Sequence, residues 1–217
     1  MDSPSKINSP FIIVPNFLSP LKCEQIIEDL DIFSPDFDND GDPKKVERHA
    51  LLLEQDIIER FHDVIPEIEQ RYDCSYKGLE KPLFQFYPEY SKAPAEPPGC
   101  ENSKYIRKKW VMHKDVDLVG FVWLRDYNEN VPLDTRSEVY GGKLEFPAFN
   151  FSLVPQRGTL VLFPAGPHFI TVISPILLGN LYQIKLNVCV SAHGAGRYFY
   201  QPSKHPGTWQ EWFSEHF

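Results

Sequence analysis

The chain has 217 residues, 42% hydrophobic and 14% aromatic, with a formal net charge of −8. That length and apolar content suit one domain with a sizeable core and exclude an intrinsically disordered chain. Net negative charge argues against a broad nucleic-acid footprint, which depends on neutralising phosphates. No apolar run approaches the ~18 residues of a membrane span.

The first residues, Met1 to Lys6, are polar and carry no signal-peptide profile. Cys23, Cys74, Cys100 and Cys189 show no Cys-x-x-Cys spacing. Together these features predict reduced thiols and a cytoplasmic location. Ile12 to Val14 reads as a strand. Ser19-Pro20 is a helix start, with Ser as N-cap and Pro at the first helical position. Leu21, Ile26, Ile27 and Leu30 then follow at helical spacing. Asp36, Asp38, Asp40, Gly41 and Glu47 fit the spacing of a calcium loop, but Pro43 interrupts it and no second loop exists. The expectation is an acidic surface turn. Ile57 to Tyr72 reads as helical, with Pro66 breaking or bending it.

After Leu79 the pattern changes to short apolar runs separated by Pro and Gly. Candidate strands are 83–87, 110–115, 118–125, 143–146, 151–154, 159–163, 168–173 and 181–190. Many short strands with turn signals indicate a mainly β sandwich or barrel. Segments 88–106 and 126–140 are too long for ordinary turns and are candidate lids. The basic run Lys104, Arg107, Lys108 and Lys109 reads as a solvated loop. Trp209 to Phe217 suits a short aromatic helix. No internal repeat is present. The predicted organisation is a single domain, 1–217, with an N-terminal strand and helices over 11–72 and a barrel core over about 83–200.

The chemistry concentrates in His113-Lys114-Asp115 and in His168, which lies 55 positions after His113 in a Gly-Pro setting. Residues two apart on a strand point to one face, so His113 and Asp115 can converge while Lys114 points away. Two imidazoles and one carboxylate form the set that holds non-heme Fe(II) and leaves positions open. His-x-Asp alone is common on ordinary surface strands, so its setting decides. His49, His62, His193, His205 and His216 lack comparable spacing. No Gly-x-Ser-x-Gly, Rossmann or P-loop motif supports other chemistry.

The setting is ordered. Trp110-Val111-Met112 leads into His113, and an apolar run, Leu118 to Leu124, follows Asp115. Then come Gly141-Gly142-Lys143-Leu144-Glu145-Phe146-Pro147 and Pro155-Gln156-Arg157-Gly158-Thr159-Leu160-Val161-Leu162-Phe163-Pro164, with His168 four residues later. This order resembles the 2-oxoglutarate/Fe(II)-dependent dioxygenases, in particular their prolyl 4-hydroxylase-like branch. The likeness spans roughly residues 83 to 190, and Phe11 to Pro20 resembles the family's opening strand and helix start.

The resemblance implies a double-stranded β-helix, or jelly roll, with supporting N-terminal helices. It implies metal ligands His113, Asp115 and His168, with Fe(II), 2-oxoglutarate and O2 as reactants and ascorbate as stimulant. A protein or peptide substrate hydroxylated at proline is the expectation, and a small-molecule substrate stays open. In the family, an Arg or Lys about ten residues after the distal His holds the far carboxylate of 2-oxoglutarate. Here Leu177 and Leu178 occupy those places, and aligning on Gly179 puts Leu181 there. Lys185, on the Gln183–Lys185–Asn187–Cys189 face of the last strand, is the replacement, and Arg197 is the reserve. Tyr87 matches a family tyrosine that hydrogen-bonds the cosubstrate. A nucleobase demethylase of the same superfamily and a non-catalytic jelly-roll binding module are the other two readings.

Overall fold

A computed structural model describes residues 10–30, 46–48, 51–91, 93–96, 100–102, 110–112, 116–130, 138–166 and 169–192. Asp36 to Asp42 of the acidic turn, the basic run, Arg197 and the C-terminal aromatic segment lie outside them, while Glu47 falls in the strand at 46–48. Among the described residues the chain opens with β1 (Ile12–Val14), α1 (Pro20–Leu30), β2 (Val46–Arg48), α2 (Leu51–His62), α3 (Ile65–Tyr72) and β3 (Cys74–Leu79). The rest is almost all strand: β4 (Leu83–Tyr87), β5 (Ala93–Glu96), β6 (Cys100–Asn102), β7 (Trp110–Met112), β8 (Leu118–Trp123), β9 (Asp126–Tyr127) and β10 (Glu138–Gly141). β11 (Leu144–Phe146), β12 (Phe151–Leu153), β13 (Leu160–Pro164), β14 (Thr171–Ile173), β15 (Ile176–Leu178) and β16 (Leu181–Ala192) follow.

Local chemistry sets the helix ends. The Ser19 hydroxyl accepts a hydrogen bond from the Lys22 N–H at 3.2 Å, and Pro20 takes a position whose N–H has no helical partner. Cys23, Ile26, Ile27 and Leu30 form the buried face of α1. Leu21, expected on that face, is 66% exposed instead, because the stripe starts at Cys23. Pro66 does not bend a long helix. It sits in the first turn of α3, and the chain breaks at Asp63–Val64. α2 begins at Leu51, earlier than the apolar spacing from Ile57 indicates.

Two sheets make the barrel. One runs β1-β13-β8-β16-β4-β2, with β3 pairing the far half of β16. The other runs β12-β11-β14-β5. The chain passes from β4 to β5, from β8 to β11 and β12, then through β13 and β14 to β16. That alternation between a seven-stranded and a four-stranded sheet is the double-stranded β-helix. Central β8 is buried along its whole length, since both of its faces are covered. On the outer face, Ile26, Ile57, Phe61 and Ile68 of the helices pack with Val122, Leu160, Leu162, Ile184 and Leu186. On the inner face, Val119, Phe121, Val161 and Phe163 meet Leu144, Phe146 and Ile173 of the second sheet.

The segments expected as long loops carry short strands. β5 and β6 lie within 88–106, and β9 and most of β10 within 126–140. β5 contains Pro94 and would be demoted by any strand rule, yet among the described residues it occupies a sheet edge, paired only to β14. The small sheet β15-β10-β9 explains the insertion between β14 and β16. Among the described residues, no helix is long and apolar enough to cross a membrane.

The motif glycines have steric reasons. Gly158 has φ +73°, and a Cβ there would lie 2.0 Å from the Leu18 carbonyl oxygen. Its own N–H donates to Trp123 O at 2.7 Å, while its carbonyl accepts from Leu18 N at 3.0 Å. Gly141 has φ +94°, and its Cβ would meet Pro175 O at 2.1 Å. Gly158→Ala should therefore destabilise the fold by roughly 2 kcal/mol or more, read as a lower denaturation midpoint with an unchanged slope. A midpoint equal to the parent's would contradict the packing of this turn on Leu18, just before α1.

Cys23 and Cys74 are buried free thiols. Burial is the main cause that pushes each up to about 11. Neither should react with a small alkylating reagent in the native protein at pH 8, and both should react once it is denatured. The raised values mean that the unfolded chain ionises first. Their contribution to stability is complete below the ordinary thiol value of 9.0 and is lost as pH rises towards about 11.

Candidate active site

His113, Asp115 and His168 lie outside the described residues, so the site is built from what flanks them. β7 leads towards His113 and pairs antiparallel with β6. Past Asp115, Val116 is buried in the inner core. Three hydrogen bonds tie Asp117 to its neighbours here. Its N–H donates to Val188 O at 2.9 Å, and its carbonyl accepts from Ala165 N at 2.8 Å. Its carboxylate Oδ2 accepts from Val190 N at 2.9 Å. Leu118 then pairs opposite Pro164 and Val188. The chain leaving His-x-Asp and the chain entering Gly166-Pro167-His168 thus meet at one end of the barrel.

The described residues resume at Phe169. Phe169 donates its N–H to Gly166 O at 3.2 Å. Its ring packs 5.2 Å from Phe149 and 6.2 Å from Phe163. Phe146 meets Phe163 edge-on at 4.9 Å. These rings line the inner face near the flanking residues with apolar surface. Among the described residues no group of three His, Cys, Asp or Glu is placed to hold a metal.

β16 lays out the inward face in order. Asn187 lies opposite Val119, Lys185 opposite Phe121 and Gln183 opposite Trp123. Towards β4, Lys185 lies opposite Leu83, Gln183 opposite Gln85 and Leu181 opposite Tyr87. Residues directly opposed in a ladder share a face. Lys185, half-buried, therefore shares the face of the inner core, as its alternation in the sequence predicts. Its place along the strand is informative. Asp117 precedes the Leu118–Val188 pair and so falls beside Cys189, which puts Lys185 roughly 13 Å further along and Leu181 roughly 26 Å. The cation is thus nearer the His-x-Asp segment than the leucine that occupies the family position.

Tyr87 is buried in the same inner core, but it lies four positions along β4 from Leu83, the partner of Lys185. That is roughly 13 Å along the strand. Between the two lie Gln85 and Gln183, 2% and 1% exposed. The Gln183 side-chain N–H donates to Gln85 Oε1 at 2.7 Å. Sequence reasoning placed Gln183 on the polar face but assigned no role to either glutamine. The signal was there: Leu83-Gln85-Tyr87 puts one amide among inward apolar positions.

Solved structures similar to this one include prolyl hydroxylases. A viral collagen prolyl hydroxylase from Paramecium bursaria Chlorella virus-1, solved with 2-oxoglutarate, superposes with TM-score 0.59 at 13% identity, covering 86% of this chain and 98% of that one. A Pseudomonas putida prolyl-4-hydroxylase gives 0.55 at 13%, covering 85% and 94%. A Trichoplax adhaerens prolyl hydroxylase, in complex with a hypoxia inducible factor oxygen degradation domain peptide, gives 0.53 at 13%, covering 83% of each. No family model and no curated sequence matches the chain. The chain has the double-stranded β-helix fold of the prolyl 4-hydroxylases, the branch of the 2-oxoglutarate/Fe(II) dioxygenases that its motif order resembles.

Proposed function

We propose that this chain is an Fe(II)- and 2-oxoglutarate-dependent dioxygenase that hydroxylates a peptidyl proline. The observation that carries the reading is the Asp117–Ala165 hydrogen bond. It joins the two segments whose next residues supply His113, Asp115 and His168, in the fold of the prolyl hydroxylases. The donor set fits the metal: two neutral imidazoles and one carboxylate suit non-heme Fe(II) and leave positions for other ligands. When bound, the iron supplies the oxygen chemistry that couples decarboxylation of 2-oxoglutarate to hydroxylation of an unactivated C–H bond, yielding succinate and carbon dioxide. Ascorbate would keep the iron ferrous.

The protein's own groups divide the remaining work. Lys185 neutralises the far carboxylate of 2-oxoglutarate, since an unpaired charge inside the barrel would be costly. Phe121, Phe163 and Phe169 exclude water from that space. Tyr87 lines the same inner face beyond the glutamine pair. A peptide substrate is supported by the peptide-bound Trichoplax neighbour, and the net charge of −8 counts against nucleic acid. The displaced cation is the one feature that favours the alternative, a nucleobase demethylase, because those members of the superfamily carry it further from the distal His.

The reading is tested by succinate formation from 2-oxoglutarate with Fe(II) and ascorbate, using proline-containing peptides and methylated oligonucleotides as alternative substrates. Turnover with peptide alone is expected, and turnover with oligonucleotide alone would overturn the prolyl assignment. His113→Ala should abolish turnover and metal binding while leaving the melting transition nearly unchanged. Full activity in that variant would sink the metal site. Lys185→Ala should weaken 2-oxoglutarate binding more than tenfold, a cost of roughly 2–5 kcal/mol, with metal affinity little changed. Equal affinity for 2-oxoglutarate in that variant would transfer the role to Arg197.

A further inference from the structure

We propose that Asp117 is a positioning residue for the metal ligands: its carboxylate replaces the next rung of the β8–β16 ladder, so that the chain entering β8 can diverge from β16 without leaving a buried donor. The proposal rests on the dioxygenase reading. The ladder between β8 and β16 ends at the pair Leu118–Val188. Continued in register, it would set Val116 opposite Val190. Val116 instead packs into the inner core, while Val190 belongs to the core on the helix side. β16 runs on to Ala192, paired there with β3. Val190 is buried, and a buried N–H without a partner is costly. The Asp117 carboxylate Oδ2 accepts that N–H at 2.9 Å. At the same point the register of β16 against β3 shifts, between Cys189 and Val190, and such irregularities re-aim a strand end.

One residue thereby ties three segments together. The Asp117 N–H bonds to Val188 and its carbonyl to Ala165, while its side chain bonds to Val190. Asp115 lies two residues before this anchor, and His168 three residues after Ala165. Ligands of a metal must be held close to their productive geometry by groups that do not themselves touch the ion. A carboxylate suits the task, because a hydrogen bond from a backbone N–H to a charged acceptor is roughly twice as strong as a neutral one. The remaining six pairs of the ladder, Gln183–Trp123 to Val188–Leu118, hold β8 to β16 without it. Loss of the carboxylate should therefore loosen the barrel end and spare the fold. Asp117 acts through the backbone, and the ion is held by the ligands that follow from it.

The test combines calorimetric titration of the full chain with Mn(II) alone and amide hydrogen exchange of the metal-free protein. Asp117→Ala should weaken Mn(II) binding roughly tenfold to a hundredfold and speed exchange at the Val190 N–H by about tenfold or more. Asp117→Asn keeps an acceptor of the same shape and should stay within about threefold of the parent in both readouts. Asp117→Glu keeps the charge but displaces the acceptor by one methylene, so it should also weaken Mn(II) binding. Gly158→Ala, at the other end of β13, is the control: it should lower the melting transition and leave Mn(II) affinity unchanged. Parent-like Mn(II) affinity in folded Asp117→Ala and Asp117→Glu overturns the positioning role alone. Unchanged exchange at Val190 in Asp117→Ala overturns the replacement of the ladder bond. A loss of Mn(II) in Asp117→Asn as large as in Asp117→Ala makes the charge itself decisive and overturns action through the backbone. No Mn(II) binding by the parent overturns the dioxygenase reading beneath it.

Discussion

β16 is held between β8 and β4 in a register that a slip of one residue would invert. Its outward residues, Tyr182, Ile184, Leu186 and Val188, belong to the core under the helices. Its inward residues, Leu181, Gln183, Lys185 and Asn187, face the space between the sheets. A slip would press a lysine and two amides into the helix-side core and turn four apolar side chains inward. The penalty for that exchange fixes the strand, and the strand fixes where polar chemistry is possible. Asp117 adds a pin at the end, bonding to Val188 and Val190 through backbone and carboxylate.

Division of labour between the two faces follows from this constraint. The helix side is an ordinary apolar core, completed by α1 to α3. The inner side is apolar in its walls, with Phe121, Phe146, Phe163 and Phe169, but polar in a line down β16. A dry enclosure strengthens any charge interaction formed within it. One lysine in such a place can hold a dianion firmly. The same enclosure makes an unmatched amide costly, which is why Gln85 and Gln183 bond to each other.

The strand pattern, the outward and inward alternation of β16 and the cap of α1 were all legible in the chain, because each depends on local spacing and on one face being buried. Gly158 and Gly141 were visible as motif residues, but their reason is tertiary. The atoms they avoid belong to Leu18 and Pro175, distant in sequence. β5 was hidden because Pro94 breaks a local rule that an edge strand escapes. β9, β10 and β15 were hidden because two to four residues carry too little periodicity to read. The exposure of Leu21 was misjudged because helical spacing alone does not say which of several apolar residues begins the buried stripe. Lys185 was recognisable as the inward cation, whereas its distance from the His-x-Asp segment depends on the β8 register. The amide pair needed that register too, since Gln85 and Gln183 are 98 residues apart in sequence.

The central claim is that one barrel end holds ferrous iron and a 2-oxo acid together. Anaerobic titration of Fe(II)-loaded protein with 2-oxoglutarate, followed by visible absorption, tests it most directly. Chelation of the iron by the 2-oxo acid should produce a metal-to-ligand charge-transfer band that saturates at one equivalent. A protein that binds Fe(II) yet develops no such band would contradict the account.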